Sequence, residues 1–225
     1  MAHIFVPANS VKDWKKLLAD PIKHWRTGYS AKALAYCWQE AGGIPSHVME
    51  ILSQINRLND LEPIFIVPEH QVPLPGGSRP SQNDIWVLAR TSHGLVSITV
   101  EGKVSEPFGP TVQEWLHDSS LGKEQRLQFL CSKLALSYPP PDEVRYQLFH
   151  RTASAVIEAE RFQASDAVMI VHSFSQTNES FQDFERFVEL YNVKATVDQA
   201  VTVKLNDEMN LHFAWVHGPE KYRRI

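Results

Sequence analysis

The sequence predicts an α/β fold in which a central mixed β-sheet is flanked by helices. Stretches with apolar residues at helical spacing alternate along the chain with short apolar runs that are typical of strands. Residues 84–91 and 95–103 alternate apolar and polar side chains around a short turn, which predicts an antiparallel pair. Residues 167–171 are apolar almost throughout, as in a strand that helices cover on both faces.

The helices are predicted from apolar residues three and four positions apart and from residues that favour helix ends. The first clear helix runs from Ser30 to about Gly43, and a second follows Pro45. Thr111 and Glu114 have the spacing of a capping box, which predicts a helix start. Further helices are expected over about 123–136, about 143–162 and 181–191. The strands are expected at 64–67, 84–91, 95–103 and 166–175, followed by a terminal hairpin over 201–217.

The 225 residues are expected to form a single domain, 1–225. Elements of the same α/β layer lie on both sides of the triple proline at 139–141, so this break is interpreted as a loop rather than a linker. Within the domain, 1–43 form a helical, basic N-terminal segment and 45–175 form the core. Residues 178–225 add a C-terminal helix and a β-hairpin.

Composition narrows the classes of function. The chain has 22 Lys and Arg against 26 Asp and Glu, a net charge of −4, which disfavours a protein that coats nucleic acid but leaves a local phosphate-binding cleft open. Cys37 and Cys131 are far apart, so neither a disulfide framework nor a cysteine-rich zinc site is indicated. Because the sequence has neither an apolar run of about 18 residues nor a typical leader, we expect a cytoplasmic protein without a membrane partner.

The first 32 residues are locally basic, with six Lys and Arg side chains against two Asp and a local charge of +4. Trp14, Trp25 and Tyr29 are interleaved with these cations. Aromatic and cationic side chains together can bind single-stranded nucleic acid, which makes Lys23 and Arg26 candidate nucleic-acid contacts. In the alternative interpretation, the aromatic rings pack on the core and the cations face solvent.

The most informative stretch is the predicted hairpin, because two carboxylates and a lysine lie at its far end. Alternation places Glu101 and Lys103 on one face of their strand. If Ser92 pairs with Leu95 across a His93-Gly94 turn, Asp84 shares that face and the apolar side chains share the other. In this register Val87 faces Val100, Ala89 faces Ile98, and Asp84 and Trp86 lie opposite Lys103 and Glu101. Paired carboxylates of this kind suit Mg²⁺ or Mn²⁺, and a neighbouring lysine suits phosphodiester hydrolysis.

Asp84 followed by Glu101-Gly102-Lys103, within this order of helices and strands, resembles the PD-(D/E)XK superfamily of restriction-endonuclease-like nucleases. The resemblance covers about 45–175 and implies a restriction-endonuclease-like fold. It also implies a Mg²⁺- or Mn²⁺-dependent nuclease acting on DNA or RNA, in which Asp84 and Glu101 bind the metal, Gly102 lends its carbonyl and Lys103 assists the attacking water. The sequence departs from the pattern at Asn83, where the superfamily usually has Pro.

Three further residues enter through the same resemblance. Glu50 corresponds to an acidic residue that often joins the metal site from the helix before the first strand. Gln147 and Arg151, four residues apart on one helix face, correspond to polar residues after the third strand and are candidate nucleic-acid contacts. The whole chain, including HWRTGYSAKALAYCWQEAGG and AVMIVHSFS, also resembles an uncharacterised bacterial family without an assigned activity, which implies no chemistry.

Several alternatives stay open. Asp84, Glu101 and Lys103 could form a surface ion-pair cluster, and Glu50 could be a solvent-facing helix residue. The fold could be a catalytically inactive module that binds nucleic acid or a protein. His150 and His172 are expected either to be neighbours in the site or to be hydrogen-bonded at the margin of the core. The terminal hairpin, 201–217, could serve as the interface of a homodimer.

Overall fold

The computed structural model describes residues 8–225, so the first seven residues of the predicted N-terminal segment lie outside the described part. The α-helices are α1 Val11–Leu17, α2 Pro21–His24, α3 Ser30–Ala41, α4 Ser46–Leu52, α5 Val112–Leu116, α6 Leu121–Lys133, α7 Tyr146–Phe162 and α8 Phe181–Glu189. The strands are β1 Glu62–Val72, β2 Ser81–Thr91, β3 Gly94–Lys103, β4 Asp166–Ser173, β5 Ala200–Lys204 and β6 Asn210–His217. Short 3₁₀ helices occupy Asn56–Leu58 and Glu220–Arg224.

The six strands form one mixed sheet in the order β1-β2-β3-β4-β6-β5. β1, β2 and β3 are antiparallel, β3, β4 and β6 run parallel, and β5 returns antiparallel to β6 as the predicted C-terminal hairpin. All eight residues of β4 are buried, in agreement with its nearly continuous apolar sequence. The predicted α/β architecture is therefore confirmed.

Each face of the sheet has its own apolar layer. α6, α7 and α8 cover one face, where Phe149, Met169 and Phe213 belong to a common buried cluster. α1, α3 and α4 cover the other face, where Leu34, Val87 and Ile170 are buried together. Within residues 8–225, the described helices include none that is both long enough and apolar enough to cross a bilayer.

The register of the β2–β3 hairpin differs from the predicted one by two residues. Thr91 pairs with Gly94, so the turn is Ser92-His93, and Val87 pairs with Ile98 rather than with Val100. Two side-chain hydrogen bonds fix this turn. The Ser92 N–H donates to Asp60 Oδ2 at 2.9 Å, and the His93 N–H donates to Thr91 Oγ1 at 3.1 Å. Because side chains alternate with a period of two, the shift leaves every residue on its predicted face.

Two consequences for the far end of the hairpin follow from this register. Continuing it past the Ile85–Val100 pair brings Asp84 opposite Glu101 rather than opposite Lys103. β1 is also longer than the predicted 64–67 and continues to Val72. Glu69 therefore lies within β1, beside Asp84 of the neighbouring strand, and has a positive φ of 53°.

Candidate functional site

A cavity of about 660 Å³ lies where β3 ends and β2 begins. Its floor comes from β1, β2 and β3, one wall comes from the first turns of α7, and the opposite wall comes from the segment between α1 and α3. The acidic and basic side chains that line it are Lys23, His24, Glu69, Asp84, Glu101, Lys103, Glu106, His150 and Arg151. Glu106 connects the start of α3 to the end of β3, because its carboxylate accepts the Ser30 N–H at 2.9 Å and the Val104 N–H at 3.0 Å.

Glu101 accepts hydrogen bonds from three side chains of the cavity. Its Oε1 accepts from Lys103 Nζ at 3.0 Å and from Gln147 Nε2 at 2.7 Å, and its Oε2 accepts from Arg151 Nε at 2.6 Å. Burial alone would raise the pKa of Glu101, but the Arg151 guanidinium and the Lys103 ammonium lower it to about 2. Glu101 is therefore ionised and paired with two cations.

The negative charge of Asp84 is offset less well by its neighbours than that of Glu101. Its Oδ2 accepts the Gly102 N–H at 2.7 Å. Burial raises the pKa of Asp84 well above its ordinary value, and repulsion from the Glu101 and Glu69 carboxylates raises it further. A Cβ at Gly102 would lie 3.3 Å from Asp84 Oδ2, so the glycine allows this close approach of strand and carboxylate.

Lys103 is 3% exposed, although its ammonium reaches the cavity. Besides Glu101, Nζ donates to Gln147 Oε1 at 3.4 Å and lies 4.6 Å from the centre of the Phe108 ring. The ring and the two oxygens restrict the ammonium to one position beside Glu101.

Glu69 is a cavity residue that the sequence pattern does not predict, because its strand is expected to end at Val67. Its Oε2 accepts from Gln82 Nε2 at 2.6 Å. Burial raises the pKa of Glu69 to about 7, although the Gln82 hydrogen bond opposes this shift. Glu69 lies two positions after the apolar run that ends at Val67, so it could have indicated that the strand continues. The Pro- and Gly-rich loop that follows instead favours an earlier strand end.

The raised pKa of Glu69 predicts a pH dependence of stability. A group with a raised folded-state pKa favours the folded state at low pH, and this contribution is lost as pH rises. We expect the metal-free protein to lose stability on this account between about pH 4.5 and pH 7, and Glu69→Gln to remove that loss. Urea unfolding of both proteins in EDTA across this pH range measures the difference, and parallel curves would contradict the prediction.

The remaining predicted site residues divide into two groups. Gln147, Arg151 and Lys23 line the cavity together with Asp84, Glu101 and Lys103. The structure does not bring Glu50 or Arg26 there. Glu50 is exposed on α4, which packs against β6, because its helix covers the opposite part of the sheet. The Arg26 Nε donates instead to the Ile22 carbonyl at 3.1 Å, within its own segment.

His150 and His172 lie on opposite faces of the sheet, so the expectation that they are neighbours in one site is wrong. His150, on α7, lines the cavity. His172, on β4, is buried below α3, where its ligand atoms lie within 4.8 Å of those of Cys37 and His47. Successive residues of β4 point to opposite faces, which separates His172 from the α7 face.

The Cys37, His47 and His172 group has an internal hydrogen-bond pattern that competes with metal binding. Trp38 Nε1 can only donate, and it donates to His172 Nδ1 at 3.1 Å. Neutral His172 therefore carries its proton on Nε2, which faces His47 Nε2 at 2.9 Å. A metal ligand needs a free lone pair at that nitrogen, so in the present arrangement His172 belongs to a hydrogen-bond chain from Trp38 to His47.

The carboxylates of the cavity are of the chemical type that binds hard divalent cations. Asp84 and Glu69 are oxygen donors whose pKa values are raised in part by neighbouring negative charge, which a bound cation would offset. Glu101 is already paired with Lys103 and Arg151. Across residues 8–225, one group of three His, Cys or acidic residues has its ligand atoms within 4.8 Å of one another, and it consists of Cys37, His47 and His172. The carboxylates of Glu69, Asp84 and Glu101 are therefore not gathered around one point.

Residues 7–220 match the model of a family described as a domain of unknown function (DUF6946), and the chain belongs to this family. The match includes every residue that lines the cavity. Neither the curated proteins nor the solved structures gave a match to the chain.

Proposed function

We propose that this protein is a metal-dependent nuclease that hydrolyses phosphodiester bonds of DNA or RNA. The observation that carries the proposal is the convergence of Asp84, Glu101 and Lys103 in one cavity at the end of a β-hairpin. The same three residues form the part of the sequence that resembles the PD-(D/E)XK superfamily.

In this proposal, Asp84 and Glu69 would hold Mg²⁺ or Mn²⁺, with Glu101 next to them. The cation would stabilise the negative charge that develops on the phosphoryl group during hydrolysis. Glu101 orients two cations, Lys103 and Arg151, along the floor of the cavity. These side chains offset phosphate charge where a substrate would enter, and Lys23 adds positive charge at the opposite wall.

The proposal also accommodates the acidic total charge of the chain. Several of the acidic side chains line this cavity, and a divalent cation held by Asp84 and Glu69 would reverse the local sign of charge. Phosphate binding in this cavity would not require a basic surface over the whole molecule.

Metal titration of the wild type and of Asp84→Asn tests the proposal. An asparagine can still accept the Gly102 N–H, so the backbone contact is preserved. We expect Asp84→Asn to weaken Mn²⁺ binding in calorimetry at least about 10-fold. In EDTA at pH 7 the same variant should melt at a higher temperature than the wild type, because the raised pKa of Asp84 means that its charge disfavours the folded state.

Asp118→Asn is the matched control, since Asp118 is fully exposed and outside the cavity. It should leave both the Mn²⁺ affinity and the melting temperature unchanged. Mn²⁺-dependent cleavage of single- and double-stranded DNA and RNA by the wild type completes the test. If the wild type bound no Mn²⁺ and cleaved none of these substrates, the nuclease proposal would be wrong.

One observation favours a second function, that of a catalytically inactive module that binds nucleic acid. Lys103, Gln147 and Arg151 already occupy both oxygens of Glu101. If this pairing persists when ligands are present, Glu101 is withdrawn from metal binding. That function predicts binding of labelled oligonucleotides in fluorescence anisotropy that is insensitive to EDTA and is not followed by cleavage.

A further inference from the structure

His150 is a cavity histidine to which neither the sequence comparison nor the proposed metal site gives a role. It lies on α7 between Gln147 and Arg151, the two residues of this helix that bind Glu101. Its ring is 5.0 Å from that of Tyr146, and both side chains line the cavity. This position brings an imidazole to the same space as the proposed metal ligands.

The contacts of Ser81 determine which nitrogen of His150 faces the cavity. Ser81 Oγ lies 2.8 Å from His150 Nδ1 and 3.2 Å from the carbonyl oxygen of the same residue. Arg151 Nη1 donates to Ser81 Oγ at 3.3 Å. All three contacts can be hydrogen bonds at the same time in one arrangement. The Ser81 hydroxyl then donates to the His150 carbonyl, while His150 Nδ1–H and the Arg151 guanidinium donate to Ser81 Oγ.

In this arrangement the proton of the neutral ring is on Nδ1, and Nε2 carries a free lone pair. Within residues 8–225, His150 Nε2 has no hydrogen-bond partner, and this atom is not fully buried. Nε2 is therefore open to the cavity. Burial lowers the pKa of His150 well below its ordinary value, and the Arg151 charge lowers it further, so the ring is neutral at pH 7.

We propose that His150 is the general base of the reaction, with Ser81 as its positioning residue. This inference rests on the proposed nuclease function. The attacking water gives a proton to His150 Nε2 while its oxygen forms a bond to phosphorus. The bond from phosphorus to the leaving oxygen breaks, and that oxygen keeps the electron pair and takes a proton from solvent. The imidazolium then returns its proton to solvent, and Ser81 keeps the ring in one orientation throughout.

Chemical rescue tests this role. With Mg²⁺, which binds imidazole weakly, we expect His150→Ala to lower kcat for phosphodiester cleavage about 10²- to 10⁴-fold. Added imidazole should raise the rate of the His150→Ala variant about tenfold or more, because it acts as the base in the space that the side chain vacated. Pyrazole, which has a similar shape but is a much weaker base, should not restore it. Mg²⁺ affinity should equal that of the wild type, because His150 is not one of the proposed metal ligands.

The outcomes separate the two proposals. His117→Ala, at a fully exposed histidine, is the control and should match the wild type. If the wild type is active but His150→Ala is equally active, or if imidazole and pyrazole have the same effect, His150 is not the base although the nuclease function stands. If the wild type cleaves no phosphodiester, the nuclease function fails, and the role of His150 fails with it. Should His150→Ala not fold, His150→Gln replaces it, since the amide can still bond to Ser81, and activity close to wild type would overturn the proposal.

Discussion

Replacing Lys103 with methionine is expected to lower the rate of Mg²⁺-dependent phosphodiester cleavage about 10²- to 10⁴-fold. Methionine fills a similar volume beside the Phe108 ring but removes the ammonium that lies 3.0 Å from Glu101 Oε1. That charge is the one that would face the phosphoryl group next to the proposed metal. Glu101 would keep its bonds to Arg151 and Gln147, so the carboxylate is not left without a partner.

The decisive comparison is between rate and metal affinity. We expect Lys103→Met to bind Mn²⁺ at least as tightly as the wild type, because a nearby positive charge has been removed. Lys204→Met, at an exposed lysine of β5, should change neither quantity. Steady-state kinetics with a DNA or RNA substrate and calorimetry with Mn²⁺ measure the two effects. A variant that cleaves at the wild-type rate would exclude Lys103 from the mechanism.

The sequence predicts which side chains share a face better than it predicts which side chains are opposite each other. Alternation in β2 and β3 assigns Asp84, Glu101 and Lys103 to one face correctly. It cannot distinguish two registers that differ by two residues, because both preserve every face. In one of the two hydrogen bonds at the observed turn, the Ser92 N–H donates to Asp60, a residue outside the hairpin.

The set of residues that line the cavity is harder to predict from the sequence than the faces of the strands. Glu69 enters it because β1 continues past its apolar part, and this continuation has no strong local signature in the sequence. The pairing of Glu101 with Arg151 joins positions 50 residues apart and depends on how α7 packs across the sheet. His150 faces the cavity for the same reason. Tertiary packing, rather than local pattern, determines these contacts.

Asp166→Ala is expected to destabilise the fold by about 3–5 kcal/mol. Asp166 is the first residue of β4 and is fully buried. Its carboxylate accepts from Arg57 Nε at 2.9 Å and Nη2 at 2.8 Å, and it lies 3.0 Å from His212 Nε2. Asn210 and Ser165 also donate to it. Alanine would leave these donors without their acceptor at a buried position.

Acid should reproduce part of this loss in the wild type. Burial opposes ionisation of Asp166, but the hydrogen bonds from His212 and Arg57 lower its pKa well below the ordinary value. A lowered folded-state pKa contributes stability above the unfolded-state pKa of about 3.8, and this contribution disappears as pH falls below that value. The difference in unfolding free energy between the wild type and Asp166→Ala should therefore shrink between pH 5 and pH 2. Urea unfolding measures it, with Asp118→Ala as the exposed control.

The same variant separates the fold from the site. Asp166 pairs with Val96, whereas the proposed site lies where Lys103 pairs with Ser173, seven residues further along both strands. At about 3.3 Å per residue, the two ends are roughly 23 Å apart. Under conditions in which Asp166→Ala is folded, its Mn²⁺ affinity should therefore equal that of the wild type. A large loss of affinity would mean that the cavity depends on the whole sheet, rather than on the strand ends and the first turns of α7 that line it.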